Sequence, residues 1–444
     1  MVDTTTKKQV SSVVIDQGFY GMRFSKAGDS LFVTGAEDER IYAFKHENGY
    51  LSSDRTIQVV DPKVTFVATG IDFHASSNQW IVCGMYSSQI AFVSAEKKSE
   101  GNVNSTTMLD LPKDSFPFEV TIGPDGKFAY VSLWGQAAVA QIDIAKRQIV
   151  QTWDVHSHPT EILFLDEGKY LLVSCADDNS VVLIETATGN RKEVIRTSLY
   201  NTAKNGSTPN SISVSPDGGV LAVANADNNN VAIFDIRTRG QSKSLGFIPV
   251  GWYPTSVRFS NDGNTILVSN GKGITPKDNE SGPNPLKEPP KTIREYIGGL
   301  FQGTLSFIPS PSPEDMVRMT KDSYANSPLQ VDNKANITDF AKDSVVPSKV
   351  GETSPIEHCF YIIKENRTYD QVFGDVVGGN GDPNLCIFPE KVTPNHHALA
   401  REFVLLDNFY VESEVSADGH EWSMAAYATD YVERTWPLTY RGGR

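Results

Sequence analysis

The sequence predicts a mainly β chain, a ring of repeated short-stranded units followed by the opening of an α/β sheet. Three observations carry this. A turn signature recurs six times in the first two-thirds of the chain. Its copies are spaced almost evenly. After residue 355 the pattern changes to strand, helix, strand, helix.

The copies read GMRFSKAGDSLFVTG, GIDFHASSNQWIVCG, EVTIGPDGKFAYVSL, EILFLDEGKYLLVSC, SISVSPDGGVLAVAN and SVRFSNDGNTILVSN. Their anchors are Phe24, Phe73, Ile122, Phe164, Val214 and Phe259, roughly 42–50 residues apart. Four residues after the anchor stand Gly28, Gly126, Gly168, Gly218 and Gly263; the second copy has Ser77. Glycine admits positive φ, so the hairpin between two β-rich runs closes with the right twist. A second polar turn follows (AEDER, ADDNS, ADNNN), then a third apolar run (IYAFK, VVLIE, VAIFD). Three or four such strands cannot cover both their faces alone. Radial stacking into a β-propeller buries them, and a sandwich would not repeat one turn at this period.

The propeller is expected over 10–309, with an insertion at about 271–302. The insertion, GKGITPKDNESGPNPLKEPPK, is rich in Pro, Gly and Asn and reads as a loop, and GTLSFIP resumes the strand. Residues 310–354 form a linker with one short helix after Pro313, where Glu314 and Asp315 favour the N-terminus. Asn336-Ile337-Thr338 fits a glycosylation sequon and is read as chance. From 355 to 444 the strand HCFYIIK leads to ENRTYDQVFGD, a glycine-rich loop, the helix PNHHALAREF, the strand FVLLDNFYV and a last helix. On that helix Trp422, Ala425, Ala426, Thr429 and Val432 share a face, and Pro437 follows its end.

Bulk properties narrow the function classes. With 444 residues and net charge −14, the chain lacks the basic stripe of a nucleic-acid binder. Cys83, Cys175, Cys359 and Cys386 form no C-x-x-C pair, and the first two sit in apolar strands as small hydrophobes. His74, His156 and His158 read as loop or surface residues, and His396 and His397 as structural. No apolar run reaches membrane-spanning length, and the first ten residues lack a signal-peptide core.

Two resemblances add to this. AYVSLWG, LLVSCAD and LAVANAD resemble the YVTN type of seven-bladed propeller. A seventh blade is then expected to be degenerate around Gly303–Pro309, or to lie before Met1. Within Pro355–Arg444, YIIKENRTYDQVFGD and LLDNFYVESEVSADGH resemble the phosphoesterase family of acid phosphatases and bacterial phospholipases C, in the alkaline phosphatase superfamily. Bacterial proteins of the propeller-plus-phosphoesterase type share this order. The resemblance implies a metal-dependent phosphoric ester hydrolase, a divalent metal ion of unspecified identity, a phosphate-ester substrate, and a periplasmic or secreted location if the natural start lies upstream.

The residues permit that chemistry. Glu365-Asn366 offers a carboxylate and a neutral amide oxygen where a strand should end, a donor pair suited to a hard or borderline cation. The resemblance makes both metal ligands. Ser416 opens a helix, where backbone N–H groups favour phosphate, and is the expected nucleophile and a metal ligand; Ser413 and Ser423 are alternatives. His420 is a candidate for holding phosphate or the leaving group. The further Asp and His ligands of a two-metal site do not follow before Arg444. The chain therefore reads as a fragment expected to show no turnover by itself. The competing reading is a non-catalytic propeller for protein or surface binding. A sulfatase-like enzyme fits less, because Ser416 lacks a C/S-x-P-x-R setting.

Overall fold

The computed structural model describes residues 1–15, 17–96, 105–274, 300–327, 344–347, 351–411 and 413–440. The inserted loop from 275 to 299 and the sequon at Asn336 lie outside them. Two compact units emerge. Of the described residues, one holds 1–274 and 302–326, and the other 300–301 and those from Ser327 to 440.

In the first unit a small hairpin pairs β1 (Val2–Asp3) with β2 (Lys8–Gln9), and six antiparallel sheets follow. Blade one is β3 (Met22–Phe24), β4 (Ser30–Thr34), β5 (Arg40–Glu47) and β6 (Tyr50–Gln58). Blade two is β7 (Ala68–His74), β8 (Gln79–Gly84), β9 (Gln89–Ser94) and β10 (Thr106–Asp110). Blade three is β11 (Pro117–Ile122), β12 (Phe128–Leu133), β13 (Ala138–Asp143) and β14 (Gln148–Asp154). Blade four is β15 (Pro159–Leu165), β16 (Tyr170–Cys175), β17 (Ser180–Glu185) and β18 (Asn190–Arg196). Blade five is β19 (Pro209–Val214), β20 (Val220–Asn225), β21 (Asn230–Asp235) and β22 (Lys243–Pro249). Blade six has three strands, β23 (Pro254–Phe259), β24 (Thr265–Asn270) and β25 (Thr304–Pro309).

From blade one to blade six, the first strand of each blade lies against the first strand of the next, so the described residues of the first unit form a six-bladed propeller. The described residues hold six blades, and the seventh that the resemblance implies is not among them. Thr304–Pro309 pairs along β24 from Thr265↔Pro309 to Asn270↔Thr304, so it completes blade six rather than forming a degenerate seventh. No strand pair from blades one and six makes contact as extensive as that between successive blades. The N-terminal hairpin region touches both. Lys7 Nζ lies 5.7 Å from the centre of the Phe307 ring, and Ser11 Oγ donates to Gly49 O at 2.9 Å.

Gly28, Gly126, Gly218 and Gly263 take φ of +67° to +75°. Beside three of them, Asp125, Asp217 and Asp262 accept from the backbone N–H two residues on, as Asx turns do. The cores lie between blades and are aliphatic, with Phe66, Phe92, Phe118 and Trp134 fully enclosed. Cys83 and Cys175 belong to them, and burial pushes the Cys175 thiol up to about 12.

The second polar turn has a structural task. Glu39, Ser88, Ala137, Asn179 and Asn229 sit there with φ of +49° to +55°. The buried Glu39 carboxylate accepts from Phe66 N at 2.9 Å, on the way into blade two. Ser88 Oγ accepts from Ser115 N at 3.3 Å, Asn179 Oδ1 from Ser207 N at 2.7 Å, and Asn229 Oδ1 from Tyr253 N at 2.8 Å. Each turn thus clips the segment leading into the following blade. Ala137, in the same turn of blade three, has no polar side chain to do so and contributes only its carbonyl, which accepts from Val155 N at 2.8 Å, on the way into blade four.

Helix α1 (Pro313–Ala325) begins where the sequence places it, with Ser312 Oγ accepting from Asp315 N. It packs on β22 through Met316 and Thr320, and Tyr324 Oη donates to Leu199 O at 2.7 Å.

The second unit departs from its predicted strands. Neither HCFYIIK nor FVLLDNFYV forms a strand. Phe360 is 93% exposed and Tyr410 77%. A strand needs a neighbour for its N–H and C=O groups, and no partner strand is present among the described residues of this unit. The helices are α2 (Tyr369–Phe373), α3 (Pro394–Glu402), α4 (Ser416–Ala425) and α5 (Asp430–Tyr440). The last predicted helix is therefore two. Ala426 turns left-handed at φ +58°, and Pro437 falls inside α5 rather than after its end.

Candidate functional site

Glu365 and Asn366 lie at the end of the extended Phe360–Ile363 segment, just before α2. Asn366 adopts φ +65°, a conformation asparagine tolerates better than most residues. Thr368 then opens α2 with a capping box, its Oγ1 accepting from Gln371 N while Gln371 Oε1 accepts from Thr368 N. Ser416 is the first residue of α4, after an extended Val415. Its Oγ donates to Glu365 Oε1 at 2.7 Å across 51 residues of sequence.

Two expected site residues thus meet; the third, Asn366, follows Glu365 in sequence, and its carbonyl oxygen accepts from Arg367 Nη1. His420 stands one turn further along α4 and is exposed, and its ring has no hydrogen-bond partner among the described residues. Ser413 Oγ is buried without a partner among the described residues, and Ser423 Oγ donates to His420 O. Of the three serines, only Ser416 faces the carboxylate. The carboxylate of Glu365 and the hydroxyl of Ser416 are oxygen donors of the kind a hard or borderline divalent cation takes. Among the described residues, no group of three His, Cys, Asp or Glu ligands includes Glu365.

A second cluster organises the same unit. His397 is 1% exposed, with Nε2 2.9 Å from Asp375 Oδ1 and Nδ1 2.9 Å from Thr393 O. Asp375 also accepts from Glu390 N at 3.0 Å and lies 3.5 Å from Cys386 Sγ. The Glu390 N–H, helped by His397 and Cys386, holds the Asp375 carboxyl down at about 2 against the burial that raises it. Burial pulls the His397 imidazole down, but its bonds to Asp375 and Thr393 outweigh this and its pKa is raised. The Phe373 ring packs 5.4 Å from His397. This hub fastens α3 to the loop after α2, the structural role expected of His397.

In the propeller, His74 is buried rather than superficial, with Nδ1 2.7 Å from Ser77 Oγ and Nε2 2.9 Å from Gly126 O, tying blade two to the turn of blade three. His158 stacks on Trp134 at 4.1 Å.

The innermost strands of the propeller also carry a set of charged residues. Arg23 Nε lies 3.1 Å from Asp72 and Arg23 Nη2 3.8 Å from Glu119. Arg258 Nη2 donates to Glu161 at 2.6 Å, and Nη1 to Ser211 Oγ at 2.8 Å. These residues come from the innermost strands of all six blades. Asp72 Oδ2 also accepts from Ile122 N at 2.9 Å, and Glu161 Oε2 from Ile212 N at 2.8 Å, so both carboxylates join neighbouring blades. Among the described residues the Glu119 carboxyl has no such backbone partner. Burial pushes its carboxyl up to about 8, opposed by Arg23, supported by Glu161 and opposed again by the Tyr20 hydroxyl.

Residues 160–284 match the family model of the Choice-of-anchor I domain. No curated protein matches the chain. Among solved structures, the hydrazine synthase of Kuenenia stuttgartiensis is similar at 21% identity and a TM-score of 0.49, over 61% of this chain and 85% of that one. Virginiamycin B lyase from Staphylococcus aureus is similar at 16% identity and a TM-score of 0.44, over 57% and 78%. The β-propeller domain of Cps50 (Swd1) from Myceliophteria thermophila is similar at 13% identity and a TM-score of 0.45, over 56% and 78%. At these values the likeness carries no argument about chemistry.

Proposed function

We propose that this protein is a metal-dependent phosphoric ester hydrolase of the acid phosphatase and phospholipase C kind, with the propeller as scaffold. The observation that supports this reading is the 2.7 Å contact between Ser416 Oγ and Glu365 Oε1. A bound divalent cation would be held by Glu365 and Asn366 and would neutralise the phosphate oxygens that otherwise repel a nucleophile. The chain's own groups do the rest. The Glu365 carboxylate orients the Ser416 hydroxyl and draws on its proton. The first turn of α4, a helix of ten residues, presents backbone N–H groups toward an anion beside Ser416.

Calorimetric titration of the chain with Mn²⁺ tests the reading. Wild type should bind, and Glu365→Ala should lose binding while its helix content stays unchanged. Equal binding by the variant, or none by wild type, would sink the metal assignment. A second reading, a non-catalytic propeller for protein or surface binding, is favoured by the lack of a third carboxylate or imidazole at Glu365 among the described residues. The same titration separates the two, since that reading expects no metal uptake dependent on Glu365.

A further inference from the structure

We propose that the cleft between blades five and six binds a small organic guanidinium, with its charge at Asp217 and its apolar body on Ile233, Phe259 and Met316. The site lies wholly in the first unit and does not rest on the phosphoesterase reading.

A cavity of about 430 Å³ opens there, a size common among small-molecule sites. Blades five and six pack directly on each other through β19 and β23, so the cleft belongs to a formed junction. Its floor is apolar. Ile233 and Met316 are buried, Phe259 is half-buried, and Leu245 stands at the lip, 45% exposed. Its rim is acidic, with Asp217 from the first turn of blade five and Asp262 from the first turn of blade six.

The propeller itself shows what such a place takes. One junction earlier, Arg239 lies across the first turns of blades four and five. Its Nε and Nη2 donate to Asp166 at 2.9 and 2.7 Å, and its Nη1 donates to Gly218 O at 3.1 Å. The repeat register locates the counterpart in blade six. Ile236 N donates to Gly219 O and Ser310 N to Asn264 O, one residue past the turn glycine in each case, so Arg239 corresponds to Pro313. Ser310 Oγ meets Gly263 O much as Arg239 meets Gly218 O, but proline brings no cation for the acidic rim.

The carboxylates are left without an ion pair among the described residues. Asp217 Oδ1 accepts from Ser215 Oγ and Gly219 N, while Oδ2 accepts no hydrogen bond among the described residues. Arg237 acts on Asp217 through space only, because its Nη1 is given to Asp235 Oδ2 at 2.8 Å. Asp262 is held by Ser260 and Asn264, neither of them charged. A planar guanidinium pairs with a carboxylate edge and is weakly hydrated, so it sits against an apolar wall more readily than an ammonium. The acidic rim and the net charge of −14 disfavour an anion. The apolar floor calls for an alkyl or aryl body on the ligand, since burying that surface adds to the charge interaction.

The test is calorimetric titration of the whole chain with benzylguanidine, with guanidinium chloride and benzyl alcohol as its two separate halves. Benzylguanidine should bind about tenfold or more tighter than either half, because only it uses both floor and rim. Asp217→Asn keeps an oxygen for Gly219 N, so the turn survives, and it should weaken binding about fivefold, the size of an exposed charged pair. Pro313→Arg, at an exposed position, tethers a guanidinium where Arg239 has its counterpart and should weaken binding about tenfold by filling the cleft. Glu402→Gln, an exposed carboxylate of the second unit, should leave binding unchanged. No heat with benzylguanidine, equal affinity for benzyl alcohol, unchanged binding in Asp217→Asn or Pro313→Arg, or an equal loss in Glu402→Gln would each overturn the proposal.

Discussion

The propeller and the C-terminal unit use equally apolar strand-like sequence and end differently. In Leu171–Val173 or Val231–Ile233 every residue is buried, because a strand lies on either side and a neighbouring blade on either face. In Phe360–Ile363 and in Val404, Leu406, Phe409 and Tyr410 the same kind of residue faces solvent. Local propensity is alike in the two. What differs is the supply of partners: a repeat brings its own neighbour, whereas a sheet assembled from unlike segments waits for all of them. Exposed apolar runs of this kind are association surfaces.

The largest expected difference is in proteolysis. Chymotrypsin should cut at Phe360, Tyr361, Phe409 and Tyr410 orders of magnitude faster than within the blades, since cleavage needs an unpaired segment. Equal resistance of both units, read from the fragment masses over time, would erase the contrast. Next comes Ser416→Ala. In any preparation that turns over an aryl phosphate, kcat should fall on the order of 10³ or more, and wild-type turnover would return the role to another group.

The His397 hub gives a smaller effect, confined to the second unit. His397→Ala should cost roughly 2 kcal/mol there, measured by hydrogen exchange in α3, with the blades unaffected. Its pH dependence has a definite sign. The raised His397 pKa contributes stability below its ordinary value of 6.5 that is lost as pH rises through the folded value. The lowered Asp375 pKa contributes stability above its ordinary value of 3.8 that is lost as pH falls toward about 2. Protection of α3 should therefore peak between those two ordinary values, and a flat profile would remove the hub from the account. The smallest effect is Ala137→Asn. Asparagine tolerates φ +50° better and restores a polar side chain to the turn that lacks one, for a gain of up to about 1 kcal/mol by thermal melting. Destabilisation there would mean that the turn does not act as a clip.

Much of the propeller is legible in the sequence because the anchors and the Pro-Asp-Gly-like turns act locally: Gly126 and Asp125 need only each other and Lys127 to form their bend. The blade number was harder. Thr304–Pro309 reads as a strand, but a stretch outside the described residues separates it from β24, so only pairing assigns it to blade six. The strands expected at 360–363 and 403–411 fail because apolar character signals willingness to pair, and pairing needs a partner. Glu365 and Ser416 emerged from the family resemblance, since 51 residues of separation carry no geometric signal. The charged set on the innermost strands leaves no such local signal. It takes one residue per blade, of changing type, immediately before Phe24, Phe73 and Phe259 and three before Ile122 and Phe164. In the pairing register the two sets lie two residues apart, with a register shift beside Glu119 and Glu161, so no single column of the repeat holds them.

The clips at Glu39, Ser88, Asn179 and Asn229 bear on how such a ring is copied. Each is encoded within one module yet fastens the module after it. A tandem duplication of that stretch of gene therefore arrives with its own coupling already in place, and a deletion removes the fastener together with the thing that needed it. A ring built this way gains or loses members without stranding a buried N–H at the join. Residues at that left-handed turn should drift together with the segment some 25 positions downstream, across a boundary that a blade-by-blade reading would treat as a break.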